Sequence, residues 1–177
     1  TVGQLPPAKG LYRILRLSRQ IPVPLTVVGR TYGFCDHARW PKVRFVAGPE
    51  NGFIPRERFE RETAALDYIL FAYDPGSYRL TASGAILDAL NLGRPVITLR
   101  NDCFDDVLRL PVGYVVADME EMAALIRRLA AEYPAGTDPR FARNIALLRR
   151  EFAVETVAER LREALESFVP ELKNPQR

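Results

Sequence analysis

Short apolar runs rich in β-branched residues alternate with helical patterns along most of this chain, and this alternation limits the possible folds more than any other feature. Six runs have the length of strands, and several are nearly continuous in apolar residues: 2–5, 25–29, 43–47, 66–73, 95–99 and 114–117. A strand that is apolar on both faces has to be covered on both, as in a parallel sheet. The alternation therefore predicts an α/β fold with a doubly wound, six-stranded parallel sheet.

The helices between these runs are indicated by apolar residues at helical spacing and by residues that cap helix ends. The clearest helix follows Asp118, which is placed as its cap, with Glu121 placed to return a hydrogen bond to the helix start. Further helices are predicted over residues 9–19, 56–65, 83–93, 139–150 and 155–168. No strand separates the last two, so we predict one Rossmann-like domain over residues 1–169, with two extra C-terminal helices, and a tail over 170–177.

The composition argues against several classes of protein. The 177 residues are 47% hydrophobic and 27% charged, and the formal net charge is +3 with both signs spread along the chain. This even distribution does not favour a nucleic-acid partner, because Lys and Arg cluster on one face of nucleic-acid-binding proteins. The longest apolar runs are far shorter than the roughly 20 residues needed to cross a bilayer, so no transmembrane segment is predicted.

Two further features bear on where the protein works. Cys35 and Cys103 form no CxxC pair, which favours a reducing compartment over a disulfide scaffold. We therefore expect a cytoplasmic protein, with the inner membrane surface as a candidate location. The chain begins with Thr1 on a predicted strand, so we also expect it to be a piece of a longer protein.

The segment after the fourth predicted strand is suited to binding an anion. Ser83 is placed to cap the next helix, and Gly84 lacks the Cβ that would keep a ligand away from the backbone. Free backbone donors and the positive end of the helix dipole would then face a phosphate group. A plain structural role, with Ser83 as a cap and Gly84 as a tight corner, is the alternative.

Two cationic residues are predicted to lie near this segment. Lys9 opens the helix after the first strand, where the helix dipole disfavours a cation unless an anion is bound. In a sheet of order 3-2-1-4-5-6, strands 1 and 4 are neighbours, so Lys9 and Ser83 would meet at the carboxyl edge, where such sheets bind ligands. Arg30, directly after the second strand, could bring a guanidinium to the same edge. Solvated surface positions are the alternative for both cations.

Five segments in this order resemble the C-terminal, nucleotide-sugar-binding half of GT-B glycosyltransferases of the group 1, or family 4-like, type: residues 3–11, 25–29, 66–70, 83–97 and 113–116. The most specific is the block SGAILDALNLGRPVI over residues 83–97, and the likeness covers roughly residues 1–133. The resemblance implies that the chain binds a nucleoside diphosphate sugar. The sugar would be transferred to a glycan, lipid-linked or protein acceptor held by an N-terminal domain outside this sequence.

The resemblance also implies roles for individual residues. Lys9 matches the lysine that such enzymes place on the donor diphosphate, and Asp88 matches the acidic residue that binds the nucleotide ribose. Ser83 and Gly84 lie where backbone amides meet the phosphates. Because protein donors would neutralise the diphosphate, we expect no metal and no other cofactor.

Two positions depart from the family pattern. Retaining members carry a Glu-x7-Glu pattern whose two positions are Leu80 and Asp88 here, and Gln4 replaces the arginine that accompanies the lysine. The stereochemistry of transfer and full catalytic competence are therefore left open. The alternative function is a non-catalytic nucleotide-binding or protein-interaction module of the same fold.

Overall fold

The computed structural model describes residues 1–32, 35–49, 52–74, 76, 83–132 and 138–168. Leu80 and the predicted tail over residues 170–177 lie outside these ranges. In chain order the helices and strands are α1 (Leu11–Leu17), β1 (Leu25–Val28), β2 (Val43–Val46), α2 (Arg56–Ala64), β3 (Ile69–Phe71), α3 (Gly84–Asn91), β4 (Val96–Leu99), α4 (Asp105–Leu108), β5 (Gly113–Val116), α5 (Met119–Glu132), α6 (Pro139–Glu151) and α7 (Val154–Phe168). Short 3-10 turns cover Pro7–Lys9, His37–Arg39 and Asp102–Phe104.

Five strands form two parallel sheets within the described residues. β1 pairs with β2, and the other sheet has the order β3, β4, β5. The register sets Leu25 opposite Val43, and Val96 opposite both Ile69 and Gly113. Helices α2, α3 and α4 each lie between successive strands in the chain, as crossover connections between parallel strands require. The predicted α/β class with parallel strands is confirmed.

The predicted first strand is only partly formed. Val2 pairs with Val28 and Leu5 pairs with Thr31 as isolated parallel bridges, so this segment lies beside β1 without becoming a strand. Gly3, between the bridges, has a φ of +94°, which interrupts the extended backbone. The described residues therefore form five strands where six were predicted, and no strand pairing among them joins the two sheets in the order 3-2-1-4-5-6.

Within the described ranges, backbone contacts of the loop before α1, rather than strand pairing, connect the two sheets. The backbone N–H of Asp74, beyond the end of β3, donates to the carbonyl of Ala8 at 2.9 Å. Gly10 has a φ of +71°, and a Cβ at this position would overlap with the carbonyl of Ala72. These backbone contacts bring the chain beyond the end of β3 beside the loop that carries Lys9.

Two hydrophobic clusters cover opposite faces of the strands. Leu70 of β3 belongs to the cluster that includes α1 and α5, whereas Ile69 and Phe71 belong to the cluster that includes α2, α3 and α6. Because successive side chains of a strand point to opposite faces, both faces of β3 are covered by helices. This arrangement explains why the strands are nearly continuous in apolar residues.

The two predicted C-terminal helices correspond to α6 and α7, and they differ in burial. Helix α6 buries Phe141, Ile145 and Leu148. Helix α7 buries no residue, and its apolar side chains are exposed: Val154, Val157, Leu161, Leu165 and Phe168. Among the helices that the structure describes, none is long and apolar enough to cross a membrane. The cytoplasmic location and the inner membrane surface stay predictions.

Candidate functional site

A pocket of about 630 Å³ lies at the carboxyl edge of the strands. Of the five predicted site residues, four line this pocket: Lys9, Arg30, Gly84 and Asp88. They come from separate parts of the chain, and the fold brings them together because each follows a segment of the parallel sheets. Another pocket, of about 420 Å³, lies at the opposite edge and is lined mainly by apolar residues, from the segments before β1 and β3 as well as from β1, β3, β4 and α5.

The fifth predicted residue, Ser83, is placed differently from the prediction. It occupies the position before α3, but its side chain makes no capping hydrogen bond to the helix. Instead, its buried hydroxyl lies 2.9 Å from the hydroxyl of Tyr73. The prediction that the Ser83 side chain caps α3 is wrong, because a buried phenol needs a hydrogen-bond partner and Ser83 is beside it. The backbone donors at the start of α3 are therefore left without a cap from Ser83.

Gly84 opens space at the start of α3. Apart from its chain neighbours and the backbone of α3, no atom of the described residues lies within 4 Å of the place that a Cβ at Gly84 would occupy, and Gly84 lines the pocket. A ligand group can therefore approach the helix N-terminus closely, where backbone N–H groups and the helix dipole favour an anion.

Lys9 is a half-buried cation in this pocket. Its Nζ lies 5.4 Å from the centre of the Tyr73 ring. Burial lowers the pKa of Lys9, and the negative charge of Asp88 opposes that shift. The Cys103 thiolate also opposes it, but only at alkaline pH, because burial raises the pKa of this thiol to about 11. A partly desolvated ammonium group interacts more strongly with an anionic ligand than one in bulk water.

Arg30 contacts two aromatic rings at the rim of the pocket. Its guanidinium carbon lies 4.8 Å from the centre of the Tyr32 ring and 5.4 Å from that of Phe53. The Tyr32 hydroxyl donates to Oε1 of Gln4 at 2.7 Å, so Gln4 orients the ring beneath Arg30. Cation–π contacts of this kind favour an arginine that stays near the pocket.

Asp88 meets an arginine that the sequence analysis missed. Nη1 of Arg56, the first residue of α2, donates to Oδ1 of Asp88 at 2.8 Å. Hydrogen bonds to Asp88 and Glu60 raise the pKa of Arg56. The described lining of the pocket thus contains three cations, Lys9, Arg30 and Arg56, and one carboxylate, Asp88. Because Arg56 is paired with Asp88, the net positive charge comes from Lys9 and Arg30, and it suits an anionic ligand.

Two pocket residues that the sequence analysis missed, Phe53 and Arg56, also follow a strand that ends at the carboxyl edge. Phe53 and Arg56 lie in the segment after β2, which ends at the same edge as the segments after β1 and β3. The rule that placed Arg30 at the carboxyl edge would also have placed them there. The sequence predicts residues 56–65 as a charged helix, and the start of this helix after β2 is the signal that places Arg56 at this edge.

The arrangement of the described side chains also bears on whether a metal ion could bind. Within the part of the chain that the structure describes, no group of three or more His, Cys, Asp or Glu side chains is arranged to hold a metal ion. The expectation that no metal is needed stays a prediction.

Solved structures that are similar to this chain come from several glycosyltransferase systems. HepE from Anabaena matches in its complex with UDP and glucose at a TM-score of 0.72 and 21% identity, over 94% of this chain and 48% of that one. AviGT4, a glycosyltransferase involved in avilamycin A biosynthesis, matches at a TM-score of 0.65 and 18% identity, over 92% of this chain and 49% of that one. WaaG, a glycosyltransferase involved in lipopolysaccharide biosynthesis, matches at a TM-score of 0.57 and 19% identity, over 85% of this chain and 42% of that one.

The chain has the fold of the matched part of these glycosyltransferases. The expected GT-B likeness is thereby confirmed at the level of the fold. The chain spans about half the length of the first structures it matches. Neither a protein-family model nor a curated protein sequence gives a significant match.

Proposed function

We propose that this chain is the donor-binding domain of a glycosyltransferase and that its pocket binds a nucleoside diphosphate sugar. The observation that carries the proposal is the meeting of Lys9, Arg30, Gly84 and Asp88 in one pocket. The ammonium and guanidinium groups suit the diphosphate, and the carboxylate accepts hydrogen bonds from ribose hydroxyls. The HepE structures in complex with UDP and UDP-glucose make uridine nucleotides the first to test.

The proposed chemistry is transfer of the sugar from the diphosphate to a hydroxyl of a glycan, lipid-linked or protein acceptor. As the sugar leaves, negative charge develops on the diphosphate. Lys9 and Arg30 stabilise that charge, and the start of α3 adds backbone donors and the helix dipole. We propose that these protein groups suffice without a metal, and that an N-terminal domain beyond these residues holds the acceptor.

Titration calorimetry with UDP, UDP-glucose and uridine in the presence of EDTA tests the donor site. Losing a charge-assisted hydrogen bond costs roughly 1.5–3 kcal/mol, so Lys9→Ala should weaken UDP binding about 10- to 100-fold and leave uridine binding unchanged. Asp88→Ala should weaken UDP and uridine alike, because its proposed contact is the ribose. Lys42→Ala, which removes an exposed lysine just before β2, is the matched control.

The results that contradict the proposal are specific to its parts. Equal affinity for UDP in the wild-type protein and in both site variants would refute the residue assignments. Binding that is absent in EDTA and restored by a divalent cation would refute the metal-independent site. No binding of UDP, GDP or their sugars under any condition would refute nucleotide binding itself.

A further inference from the structure

The contact between Arg56 and Asp88 joins two helices across the wall of the pocket. Arg56 begins α2 and Asp88 lies in α3, 32 residues further along the chain. The guanidinium of Arg56 is fixed by two carboxylates, because Nη1 donates to Asp88 at 2.8 Å and Nε donates to Oε1 of Glu60 at 2.6 Å. The Phe59 ring lies 5.5 Å from the guanidinium carbon. Arg56 is therefore held in one orientation by groups on two helices.

The position of Arg56 is unfavourable unless it has such partners. It is the first residue of α2, where the positive end of the helix dipole repels a cation. The side chain of Arg56 is 59% exposed, and ion pairs at that exposure contribute little to stability. Stability alone therefore gives a weak account of the pair. The pair instead fixes the orientation of the Asp88 carboxylate.

Asp88 is left with one oxygen available to a ligand. Arg56 engages Oδ1, and no other hydrogen bond between described residues reaches the Asp88 carboxylate. The Asp88 side chain is 24% exposed and lines the pocket. A carboxylate on a helix would otherwise rotate among staggered conformers, each pointing its oxygens in a different direction. Engagement of one oxygen selects the conformer and leaves the other free to accept hydroxyl groups.

We propose that Arg56 is a positioning residue that holds Asp88 so that its second oxygen accepts hydrogen bonds from the ribose of the bound nucleotide. The Arg56–Asp88 pair then makes the pocket select ribonucleotides over deoxyribonucleotides. This role rests on the proposed nucleotide binding in the same pocket. It differs from direct contact with phosphate, which would strengthen the binding of ribonucleotides and deoxyribonucleotides equally.

The experiment compares UDP with 2′-deoxy-UDP, and GDP with 2′-deoxy-GDP, by titration calorimetry. In the wild-type protein we expect the ribonucleotide of at least one pair to bind roughly 10-fold more tightly than its deoxyribonucleotide. This ratio is expected because the deoxyribonucleotide lacks one hydrogen bond to a charged group. Arg56→Ala should reduce this preference to within about 2-fold while deoxyribonucleotide affinity changes little. Arg58→Ala, on the exposed face of the same helix, should retain the full preference.

Further variants separate positioning from a general structural effect. Asp88→Asn keeps the shape of the side chain but removes its charge, and it should lose the ribose preference as Arg56→Ala does. Adding Arg56→Ala to Asp88→Asn should cause no further loss of preference, because both changes remove the same interaction. Arg56→Lys retains the charge, but an ammonium group cannot reproduce the two hydrogen bonds that the guanidinium donates to Glu60 and Asp88. We therefore expect an intermediate ribose preference in this variant.

Three results would overturn the role of Arg56. An undiminished ribose preference in Arg56→Ala would show that Asp88 needs no positioning. An equal loss of affinity for ribonucleotides and deoxyribonucleotides would assign Arg56 to the phosphates. Failure of the wild-type protein to bind any of these nucleotides would overturn both this role and the proposed function, whereas the first two results leave nucleotide binding intact.

Discussion

Lys9 combines partial burial with a position beside a carboxylate, and this combination has opposite consequences for binding and for folding. Burial lowers its pKa below that of an ordinary lysine, although the negative charge of Asp88 limits the shift. In the folded protein without ligand, the charged form is therefore less favoured than in the unfolded chain. A bound diphosphate reverses this preference, because it pairs with the ammonium group.

We predict that UDP affinity falls as the pH rises through the Lys9 pKa, beginning at a lower pH than for an ordinary lysine. The reason is that the neutral amine no longer attracts the diphosphate. The terminal phosphate ionises near a pKa of about 6, so its charge is constant over this alkaline range. Titration calorimetry from neutral to alkaline pH checks the prediction, and Lys9→Arg should flatten the decline. A decline of equal steepness in Lys9→Arg would attribute it to another group.

The same pKa shift predicts the opposite trend for stability. Between the folded and unfolded pKa values of Lys9, the unfolded chain binds more protons, so this residue makes the free energy of unfolding rise with pH. The difference between wild type and Lys9→Met in urea unfolding, measured at several alkaline pH values, isolates this contribution from those of other groups. A difference that does not change with pH would show that Lys9 is not desolvated in the folded protein.

At the scale of single residues, the sequence predicted which residues line the pocket better than it predicted their hydrogen-bond partners. Lys9 and Arg30 are predicted because each follows a predicted strand, whereas Asp88 is predicted only by the resemblance to glycosyltransferases. The partner of Asp88 could not be identified, since the meeting of α2 with α3 depends on packing rather than on local pattern. Ser83 was misinterpreted for the same reason, because the hydroxyl that engages it belongs to Tyr73, at the other end of the loop.

At the scale of elements, two glycines beside the pocket have opposite backbone requirements. Gly10 has a φ of +71°, and a Cβ there would overlap with the carbonyl of Ala72. A Cβ at Gly84 would meet none of the described residues other than its chain neighbours and the backbone of α3. We predict that Gly10→Ala lowers the free energy of unfolding by at least about 1 kcal/mol. Gly84→Ala should leave stability unchanged or raise it by about 0.4–1 kcal/mol, since alanine restricts the unfolded chain. Urea unfolding of both variants measures the difference.

Binding gives the complementary result for Gly84. If the space beside it admits the phosphates, Gly84→Ala should weaken UDP binding although the protein is at least as stable as wild type. Tight UDP binding by Gly84→Ala would show that the diphosphate does not approach the start of α3.

The two C-terminal helices offer a matched pair of leucines. Leu148 of α6 is fully buried, whereas Leu161 of α7 is 59% exposed. We predict that Leu148→Ala lowers the free energy of unfolding of this 177-residue chain by about 2–5 kcal/mol, because it leaves a cavity in the core. Leu161→Ala should change it by no more than about 0.5 kcal/mol. A large loss on Leu161→Ala would mean that α7 is packed in solution.

Element positions were predictable where the apolar pattern was strong, and less so where geometry interrupted it. The α5 cap was anticipated: Asp118 accepts from the N–H of Glu121 at 2.8 Å, and Glu121 accepts from that of Ala117 at 2.6 Å. Helix α4 was missed because four residues are too few to show helical spacing. The first strand was overpredicted, since the apolar residues Val2 and Leu5 do not reveal the positive φ of Gly3.

At the scale of the whole molecule, the fold class followed from the alternation of elements, but the complete sheet order did not. Pairing of β1 with β2 and of β3 with β4 and β5 reproduces two stretches of the predicted order. The connection between them consists of loop contacts near Ala8, Gly10 and Asp74 rather than a ladder of strand hydrogen bonds. These contacts still bring Lys9 to the same pocket as Gly84, so the site depends on this junction more than on a continuous sheet.

The length of the matched proteins leads to the last prediction: this chain alone binds the donor but does not transfer the sugar. Transfer requires an acceptor hydroxyl aligned with the anomeric carbon, and such positioning supplies a large part of the reduction in the barrier. The matched proteins are about twice as long as this chain, which leaves room for a second domain to supply that alignment. We therefore expect slow hydrolysis of UDP-glucose at most.

Incubation of the chain with labelled UDP-glucose and candidate glycan, lipid-linked and protein acceptors checks this expectation, alongside a longer form that carries an additional N-terminal domain. Product from the longer form alone supports a donor-binding half of an enzyme. Comparable product from the 177-residue chain would show that the acceptor site lies within it. Nucleotide binding by both forms without transfer by either would favour the non-catalytic module, because donor recognition would then be present without the alignment that catalysis requires.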